Sequence, residues 1–444
     1  MGARSTVLAR AGEAPEATTY ASQTSTRAVE ASAPETRITR TAGPAEPAAA
    51  VAAVVDAVAF GRGRARRAAR SVYAPPERAS DALVDELGGM LFASLARSDQ
   101  RRKGEQYLRG LLSAQGRKSI RNIASFVGGR TAEQSLHHFI SSSTWHWRPM
   151  RAALARYVEQ VLRPEAWVVR PIVIPKAGHH SVGVERRYIP WLGQVVNGQQ
   201  ALGAWAATAH AAVPVDWQLL GSGDQDGGAP DERLAATPVG AAAATVTGIG
   251  GGWGVSARPV VLDLPGAELP EAVQRFAETG LPLVAVASGT TRVVPADPAL
   301  PGLGGREFSA QQLLHMVRTL RRPVDWYDPL AGAVRRTQVA GVRVQLAGVP
   351  GNRPFLLAGE WDAARGWPGH YWLSDLRGAT PGRVLRLGKL ALRVDRDVVE
   401  VSSQVGLMDF EGRSYEGWHR HTTLASAAHA VRILGGVESV QRAG

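Results

Sequence analysis

The stretch Arg258–Asp263 (RPVVLD) is a short apolar strand that ends in an acid, and it decides the fold class. Pro270–Glu278 follows with helical spacing, and Leu283–Val286 is the next apolar strand. Upstream of this unit, Ala166–Val169 and Ile172–Ile174 are rich in β-forming residues. The alternation of strands and helices predicts an α/β (α+β) core.

The segment before this core has the pattern of a helical bundle. Apolar residues recur at helical spacing through residues 79–163, which predicts four or five helices. Residues 97–163 contain 13 Arg or Lys against 4 Asp or Glu, so most of the net charge of +12 lies there. A small basic helical domain is typical of a DNA-binding module, and a solvated helical surface is the alternative.

Composition also predicts the other segments of the chain. The first residues are rich in Ala, Thr, Ser, Pro and Arg without an apolar period, which is typical of a disordered arm. The Gly- and Asp-rich residues 221–254 favour a loop, and Ala425–Leu434 is expected to be the last helix. The predicted division is a disordered arm (1–78), a basic helical domain (79–163), an α/β core (164–435) with a β-rich insertion at about 290–380, and a flexible tail (436–444).

Several classes of site and location are excluded by composition. The chain has no cysteine, which excludes disulfides, thiolate metal sites and Cys nucleophiles. No run of about 18 apolar residues occurs, so we expect no membrane span. The positive charge favours a polyanionic partner, with nucleic acid first. We therefore expect a cytoplasmic protein associated with the nucleoid.

Four groups of residues share their order and spacing with a known family. They are Asp99-Gln100-Arg101 with Tyr107-Leu108-Arg109-Gly110 and Arg117-Lys118-Ser119-Ile120; Pro175-Lys176 with His180-Ser181-Val182-Gly183-Val184; Tyr371-Trp372-Leu373-Ser374; and Gly406-Leu407 with Phe410-Glu411-Gly412-Arg413-Ser414, Gly417-Trp418-His419 and His421. Together they resemble bacterial insertion-sequence transposases of the DDE superfamily. The resemblance covers about residues 85–435. It implies an RNase H-like DDE core with a β-rich insertion, preceded by a helical DNA-binding region.

The resemblance also implies a chemistry against which this sequence can be compared. In that family two Asp and one Glu hold two divalent cations, which activate water and then a DNA 3′ hydroxyl. Ions about 4 Å apart stabilise both the attacking and the leaving oxygen of a phosphoryl transfer. Mg²⁺ requires hard oxygen ligands, and carboxylates supply them.

At the matching positions, this sequence departs from the family's pattern. Asp263 corresponds to the second Asp, and Asp395 corresponds to the Glu but is shorter. The position of the first acid falls on Arg170 or Pro171, and neither can ligate Mg²⁺. Ser402 stands where the family has a Lys near the DNA backbone. We therefore expect a degenerate site with two remnant acids and no metal site.

The basic residues of the matched region predict the contacts to the expected partner, double-stranded DNA. A homodimer is a possible assembly, and no membrane partner is expected. The predicted DNA-binding residues are Arg101, Arg102, Lys103, Arg117, Lys118, Arg121 and Lys176.

Three functions remain open on the sequence. The first is a transposase-derived DNA-binding protein that is catalytically inactive and acts as a regulatory or architectural factor, without a cofactor. The second is a transposase with residual Mg²⁺-dependent activity, in which Glu185, Asp397 or Glu400 replaces the missing acid. The third is a small-molecule enzyme in which Arg170 binds an anionic substrate.

Two further side-chain patterns carry less weight. Ser181 lies beside His180, but no Gly-x-Ser-x-Gly elbow supports a hydrolase triad with Asp263. His419 and His421 are two residues apart, so a metal-binding pair would need both on one face, as on a strand but not on a helix. Burial at the start of a helix is the better interpretation of this pair.

Overall fold

A computed structural model describes residues 77–443 except 191, 222–236, 350, 352 and 363–365. The expected arm (1–78) lies almost wholly outside the described residues, and so does the first half of the expected loop at 221–254. No helix in the described part of the chain is long and apolar enough to cross a membrane.

The described chain begins with five helices, in agreement with the four or five expected. They are α1 (Glu77–Phe92), α2 (Ser98–Ser113), α3 (Ile120–Val127), α4 (Gly129–Ser141) and α5 (Arg148–Leu162). Ser119 caps α3 by accepting a hydrogen bond from the Asn122 amide at 3.2 Å. The last of these helices ends where Arg163 takes a left-handed conformation (φ 50°), and Pro164 cannot continue it.

One twelve-stranded sheet follows in the described residues. Its strands are β1 (Ala166–Pro175), β2 (Val184–Ile189), β3 (Gln194–Ala207), β4 (Ala212–Leu220), β5 (Val260–Leu262), β6 (Leu283–Ala287), β7 (Arg292–Pro295), β8 (Phe308–Ser309), β9 (Arg322–Asp328), β10 (Ala333–Leu346), β11 (Phe355–Trp361) and β12 (His370–Ser374). The order is β2-β3-β1-β5-β6-β12-β11-β10-β7-β8, with β4 also on β3 and β9 on β10.

The centre of the sheet has the strand arrangement of an RNase H-like core. β1 pairs antiparallel with β3, and β3 with β4, whereas β1, β5 and β6 run parallel to one another. A parallel pair needs a crossover connection, and a helix between β5 and β6 supplies it. The α/β (α+β) class expected from the sequence is confirmed.

The β-rich segment expected at about 290–380 extends this same sheet. β12 pairs antiparallel with β6, with Tyr371 opposite Ala287, and β11 and β10 continue outward. β9 and β10 form a hairpin in which Ala333 lies opposite Asp328. The insertion is therefore joined to the core through main-chain hydrogen bonds, so its position relative to the core is fixed.

Five more helices pack against the sheet or between it and the helical region. They are α6 (Pro238–Gly252), α7 (Leu269–Thr279), α8 (Ala310–Met316), α9 (Pro381–Asp397) and α10 (Tyr415–Ala443). A π-helical turn, Val398–Ser402, follows α9. From Tyr415 to residue 436, almost every residue of α10 is buried, so this helix runs through the middle of the protein.

One prediction from the sequence pattern was wrong, and one was right in kind but too short. The expected loop at 221–254 contains α6, because Thr237 caps the Gly240 amide at 3.1 Å and the alanines that follow favour a helix despite the later glycines. The last helix is much longer than Ala425–Leu434. It starts with buried His and Thr residues, which lack an apolar pattern, and continues to Ala443 through the expected tail.

Candidate functional site

Arg170 and Asp263 come together because β1 and β5 are neighbours in the sheet. β5 pairs with β1 only from Trp167 to Val169, so Arg170 is the first residue of β1 beyond this pairing. Asp263 is the first residue after β5, and its amide donates to the Val169 carbonyl at 3.1 Å. Both side chains therefore lie at the same edge of two parallel strands, where ligand sites of α/β proteins occur.

Helix α9 supplies the third group, Asp395. Gly388 allows α9 to approach the sheet, because a Cβ atom there would collide with the indole of Trp372. Ala391 and Asp395 lie four residues apart and share one face of the helix. The Ala391 carbonyl accepts a hydrogen bond from Arg170 Nη1 at 2.9 Å, which shows that this face is turned toward β1.

The guanidinium of Arg170 lies between the two carboxylates. Its Nη1 pairs with Asp395 Oδ1, and its Nε is 3.2 Å from Asp263 Oδ2. The three side chains are 14%, 14% and 19% exposed for Arg170, Asp395 and Asp263, so the group is mostly removed from water. The Nε contact is an ion pair without hydrogen-bond geometry, and this N–H has no acceptor among the described residues.

Burial and charge act in opposite directions on these groups. Burial raises the pKa of Asp395 to about 6; Arg170 opposes the rise, and Asp263 adds to it by repulsion. Burial favours the neutral form of Arg170, but the two carboxylates outweigh it and raise the pKa of Arg170 above its ordinary value. At neutral pH, Arg170 is therefore charged and Asp395 is mostly ionised.

This arrangement does not fit a divalent metal centre. A cation bridging the two carboxylates would need the space that the guanidinium of Arg170 fills, and its positive charge would repel the ion. Within the described residues, no cluster of three or more His, Cys, Asp or Glu side chains could hold a metal ion. The site is a closed ion triad of two acids and one base.

Pro171 and Ser402, the other two positions singled out in the sequence, take no part in the triad. Pro171 lines a small cavity beside Arg170 and Asp395, together with Trp205. It is tolerated within β1 because β5 has already ended at this level of the sheet. The hydroxyl of Ser402 is buried and lies 3.0 Å from His429 Nδ1, so it faces the protein interior.

The three acids considered as replacements are bound to other arginines. Asp397 is fully buried, pairs with Arg393 and accepts a hydrogen bond from the Ala212 amide at 2.8 Å. Glu400 pairs with Arg396 at 2.9 Å, and Glu185 pairs with Arg187 at 2.5 Å. None of these contacts leads to Asp263 or Asp395.

The predicted DNA-binding residues divide into surface and interior groups. Arg101 and Arg102 are exposed near the start of α2, and Arg121 is exposed on α3. Lys103 is partly buried, with Nζ 3.7 Å from Asp99 Oδ2. Arg101 also donates to the Leu95 carbonyl at 2.7 Å, so its orientation is partly fixed.

Of the remaining three, Lys118 and Lys176 make interior contacts, whereas Arg117 is exposed and pairs across to the core. Lys118 is only 5% exposed and its ammonium donates to the Ala114 carbonyl, so it presents no charge at the surface. Lys176 donates to the carbonyls of Met408 and Phe410 at 2.9 and 2.6 Å, and burial lowers its pKa to about 8. Arg117 pairs with Glu411 at 2.6 Å. Spacing alone did not reveal the interior contacts of Lys118 and Lys176.

Arg151 is a central residue that the sequence analysis missed. It is 1% exposed and binds Asp216 Oδ1 at 2.6 Å and the Trp217 carbonyl at 2.8 Å. Its Nη2 lies 3.0 Å from His419 Nδ1, which joins α5, β4 and α10. A signal was available, because Arg151 falls on the apolar stripe of α5 at helical spacing from Leu154 and Ala155.

The two histidines at the start of α10 are internal hydrogen-bonding groups. His421 Nε2 lies 2.8 Å from the Gly406 carbonyl and must donate to it, so Nδ1 accepts from the Tyr107 hydroxyl at 2.9 Å. Burial lowers the pKa of His421 to about 4 and that of His419 well below its ordinary value. Both are neutral at physiological pH, as the helix interpretation of this pair predicts.

Comparison with known proteins agrees with the fold. A family profile described as DDE superfamily endonuclease matches residues 90–346, more than half of the chain. A probable transposase for insertion sequence element IS701 from Microchaete diplosiphon is 30% identical over 129 residues, 29% of this chain and 32% of that protein. The match thus spans about a third of that relative's length. With the family profile and the sheet in agreement, the chain belongs to the DDE superfamily of endonucleases.

Proposed function

We propose that this protein is a transposase-derived DNA-binding protein that does not cleave DNA strands with divalent metals. The observation that carries the proposal is the Arg170 guanidinium between Asp263 and Asp395. A two-metal mechanism stabilises the charge of both the attacking and the leaving oxygen. Two carboxylates already neutralised by an arginine offer metal ions neither the ligands nor the net negative charge that this stabilisation needs.

DNA as the partner is supported by family membership and by charge. The basic excess in residues 97–163 includes the exposed Arg101, Arg102 and Arg121 of α2 and α3. Exposed cations on short helices contact phosphates without reading sequence. A regulatory or architectural role follows if binding survives without cleavage, because such a protein occupies DNA ends without processing them.

The two other candidate functions have less support. A small-molecule enzyme using Arg170 to hold an anionic substrate conflicts with the two carboxylates that already occupy this guanidinium. Residual transposition needs a third acid near Asp263. In the described conformation, however, Asp397 and Glu400 pair with arginines of α9.

The proposal is tested on one preparation of the full chain by plasmid nicking and duplex binding. We expect no nicking of supercoiled plasmid with Mg²⁺ or Mn²⁺. We also expect DNA binding whose log affinity falls with log salt at a slope of about −5, which corresponds to about six phosphate contacts. Asp263→Ala is the matched control for contaminating nuclease.

Two results would contradict the proposal. Metal-dependent nicking that disappears in Asp263→Ala would show that catalysis survives through another acid. An affinity that does not change with salt, or no binding at about 50 mM salt, would remove DNA as the partner.

A further inference from the structure

A groove between β9 and α9, on the opposite side of the helix from Asp395, is not used by the ion triad. We call it the β9–α9 groove, and its volume is about 340 Å³. One wall is the start of α9, the other is β9, and β10 forms the floor. Its lining includes Arg322, Val324, Gly341, Pro381, Gly382 and Arg386.

Close packing of helix on strand gives the groove a fixed shape. A Cβ atom at Gly341 would lie 2.7 Å from Pro381, and one at Gly382 would lie 3.1 Å from Val324. These two glycines therefore let α9 approach β9 and β10 closely. A groove whose walls are a helix and a paired strand needs no ordering before it binds a partner.

The charges that face the groove are unbalanced. Arg322 and Arg386 are both exposed, and within the described residues neither forms an ion pair. Nearby arginines differ, because Arg336 pairs with Asp325 at 2.7 Å and Arg335 pairs with Asp328 at 2.5 Å. No carboxylate is among the residues that line the groove.

A second pocket shares Arg386 and lies next along α9. It is also lined by Glu165, Lys389 and Arg393. Lys389 is neutralised by Glu360 at 2.6 Å, and Arg393 pairs with Asp397. Arg386 therefore lies where the groove and this pocket meet, and its charge, unlike those of Lys389 and Arg393, is available to an external partner.

We propose that the β9–α9 groove binds the phosphodiester backbone of duplex DNA as a second contact surface, separate from α2 and α3. This inference rests on the proposed function. Guanidinium groups bind phosphate oxygens in bidentate fashion, and Arg322 and Arg386 present two of them in one open groove. Small-molecule sites are mostly apolar and enclose their ligand, whereas this groove is open and cationic.

The test compares two double variants of the full chain. Arg322→Ala/Arg386→Ala removes both groove cations, and Arg275→Ala/Arg306→Ala removes two exposed arginines that do not line the groove. Each protein is titrated with a fluorescent duplex of about 30 base pairs over a range of salt concentrations. We expect the groove variant to lose about 2 units of log–log salt slope, about 0.9 for each phosphate contact, and the control variant to keep its slope.

A charge-preserving variant and a folding control complete the experiment. Arg322→Lys/Arg386→Lys should keep most of the slope, because lysine still neutralises phosphate. Because both groove arginines are exposed, the melting temperatures of the groove variants should equal that of the control variant.

Each remaining outcome overturns the inference in a recognisable way. If the groove variant and the control variant lose equal slope, the groove does not contact DNA although the protein binds it. If inorganic phosphate raises the melting temperature only when Arg322 and Arg386 are present and the DNA slope is unchanged, the groove takes small anions. If the wild-type protein itself does not bind the duplex, the proposed function is wrong, and the groove inference that rests on it is wrong as well.

Discussion

Replacing Arg170 by alanine tests the ion triad directly. The substitution removes the pairing of Asp263 and Asp395 and the hydrogen bond to the Ala391 carbonyl. Because both carboxylates are more than four-fifths buried, water cannot fully replace the guanidinium. We therefore expect the folded state to lose stability, by an amount that depends on how easily Asp395 takes up a proton.

The size of this loss follows from the pKa of Asp395. Burial holds that pKa at about 6 even with Arg170 present, and removing the cation raises it further. At about pH 8, protonation limits the added cost from Asp395 to about 2.7 kcal/mol, since each pH unit is worth about 1.36 kcal/mol. The lost hydrogen bond adds about 1 kcal/mol. The expected total is about 3–4 kcal/mol, within the range for breaking a buried ion pair.

The sign of the pH dependence is specific to this explanation. A carboxyl group whose folded pKa is raised destabilises the folded state increasingly as pH rises from its unfolded-state pKa to its folded-state pKa, and no further above that. In wild-type protein the pKa is about 6, and in Arg170→Ala it is higher. The difference in unfolding free energy between the two proteins should therefore be largest near pH 8 and fall to about 1 kcal/mol near pH 5, where Asp395 is protonated in both.

Urea unfolding followed by tryptophan fluorescence measures this difference. Arg170→Ala/Asp395→Asn should recover most of the loss at about pH 8, because the second change removes the unpaired carboxylate. Arg275→Ala, an exposed change on α7, should stay within about 0.5 kcal/mol of wild type. A loss for Arg170→Ala that does not vary with pH, or no loss at all, would show that Arg170 does not neutralise a buried Asp395.

Two further predictions concern buried histidines and helix packing. Burial lowers the pKa of His421 to about 4 and that of His429 to about 3. Below about pH 6.5 the unfolded chain therefore binds protons that the folded protein does not, so the free energy of unfolding falls on acidification. Each should lose about 0.8 kcal/mol between about pH 7.5 and pH 6, and urea titration of His421→Gln should show an acid-induced loss smaller by that amount. Gly388→Ala should destabilise by about 1–3 kcal/mol because its Cβ meets the Trp372 indole. Gly248→Ala, a helical glycine with open space around it, should be neutral or stabilising in the same thermal melts.

Fold class was accessible from the sequence because the core strands are short, apolar and separated by turn residues. The sequence pattern did not predict α6 or the first turns of α10, because their composition is not that of a typical amphipathic helix. α6 combines alanines with five glycines, and α10 begins with polar residues that are buried against other polar residues. A hydrophobic period cannot detect a helix whose first turns bury histidine and threonine, because their burial is supported by hydrogen bonds.

The candidate site was only partly accessible. Resemblance to the family named Asp263, Asp395 and the Arg170 position, although they lie on three elements distant in sequence. It could not reveal the hydrogen bond from Arg170 to Ala391, which depends on how deeply α9 packs against β1. For Lys118, sequence spacing gives charge but not direction, and a lysine in a basic segment proved to be an interior contact.

The ion triad neutralises two buried acids at a junction of three parts of the core. β1, the end of β5 and α9 meet at this point, and two of the elements bring a buried carboxylate. Two acids side by side repel each other, and without a cation that repulsion would weaken the packing of α9 on the sheet. The side chain of Arg170, a residue of β1, supplies that cation. Under the proposed function, an arginine at the position of the family's first acid neutralises the other two acids without a metal ion, so the packing of α9 on the sheet does not depend on catalysis.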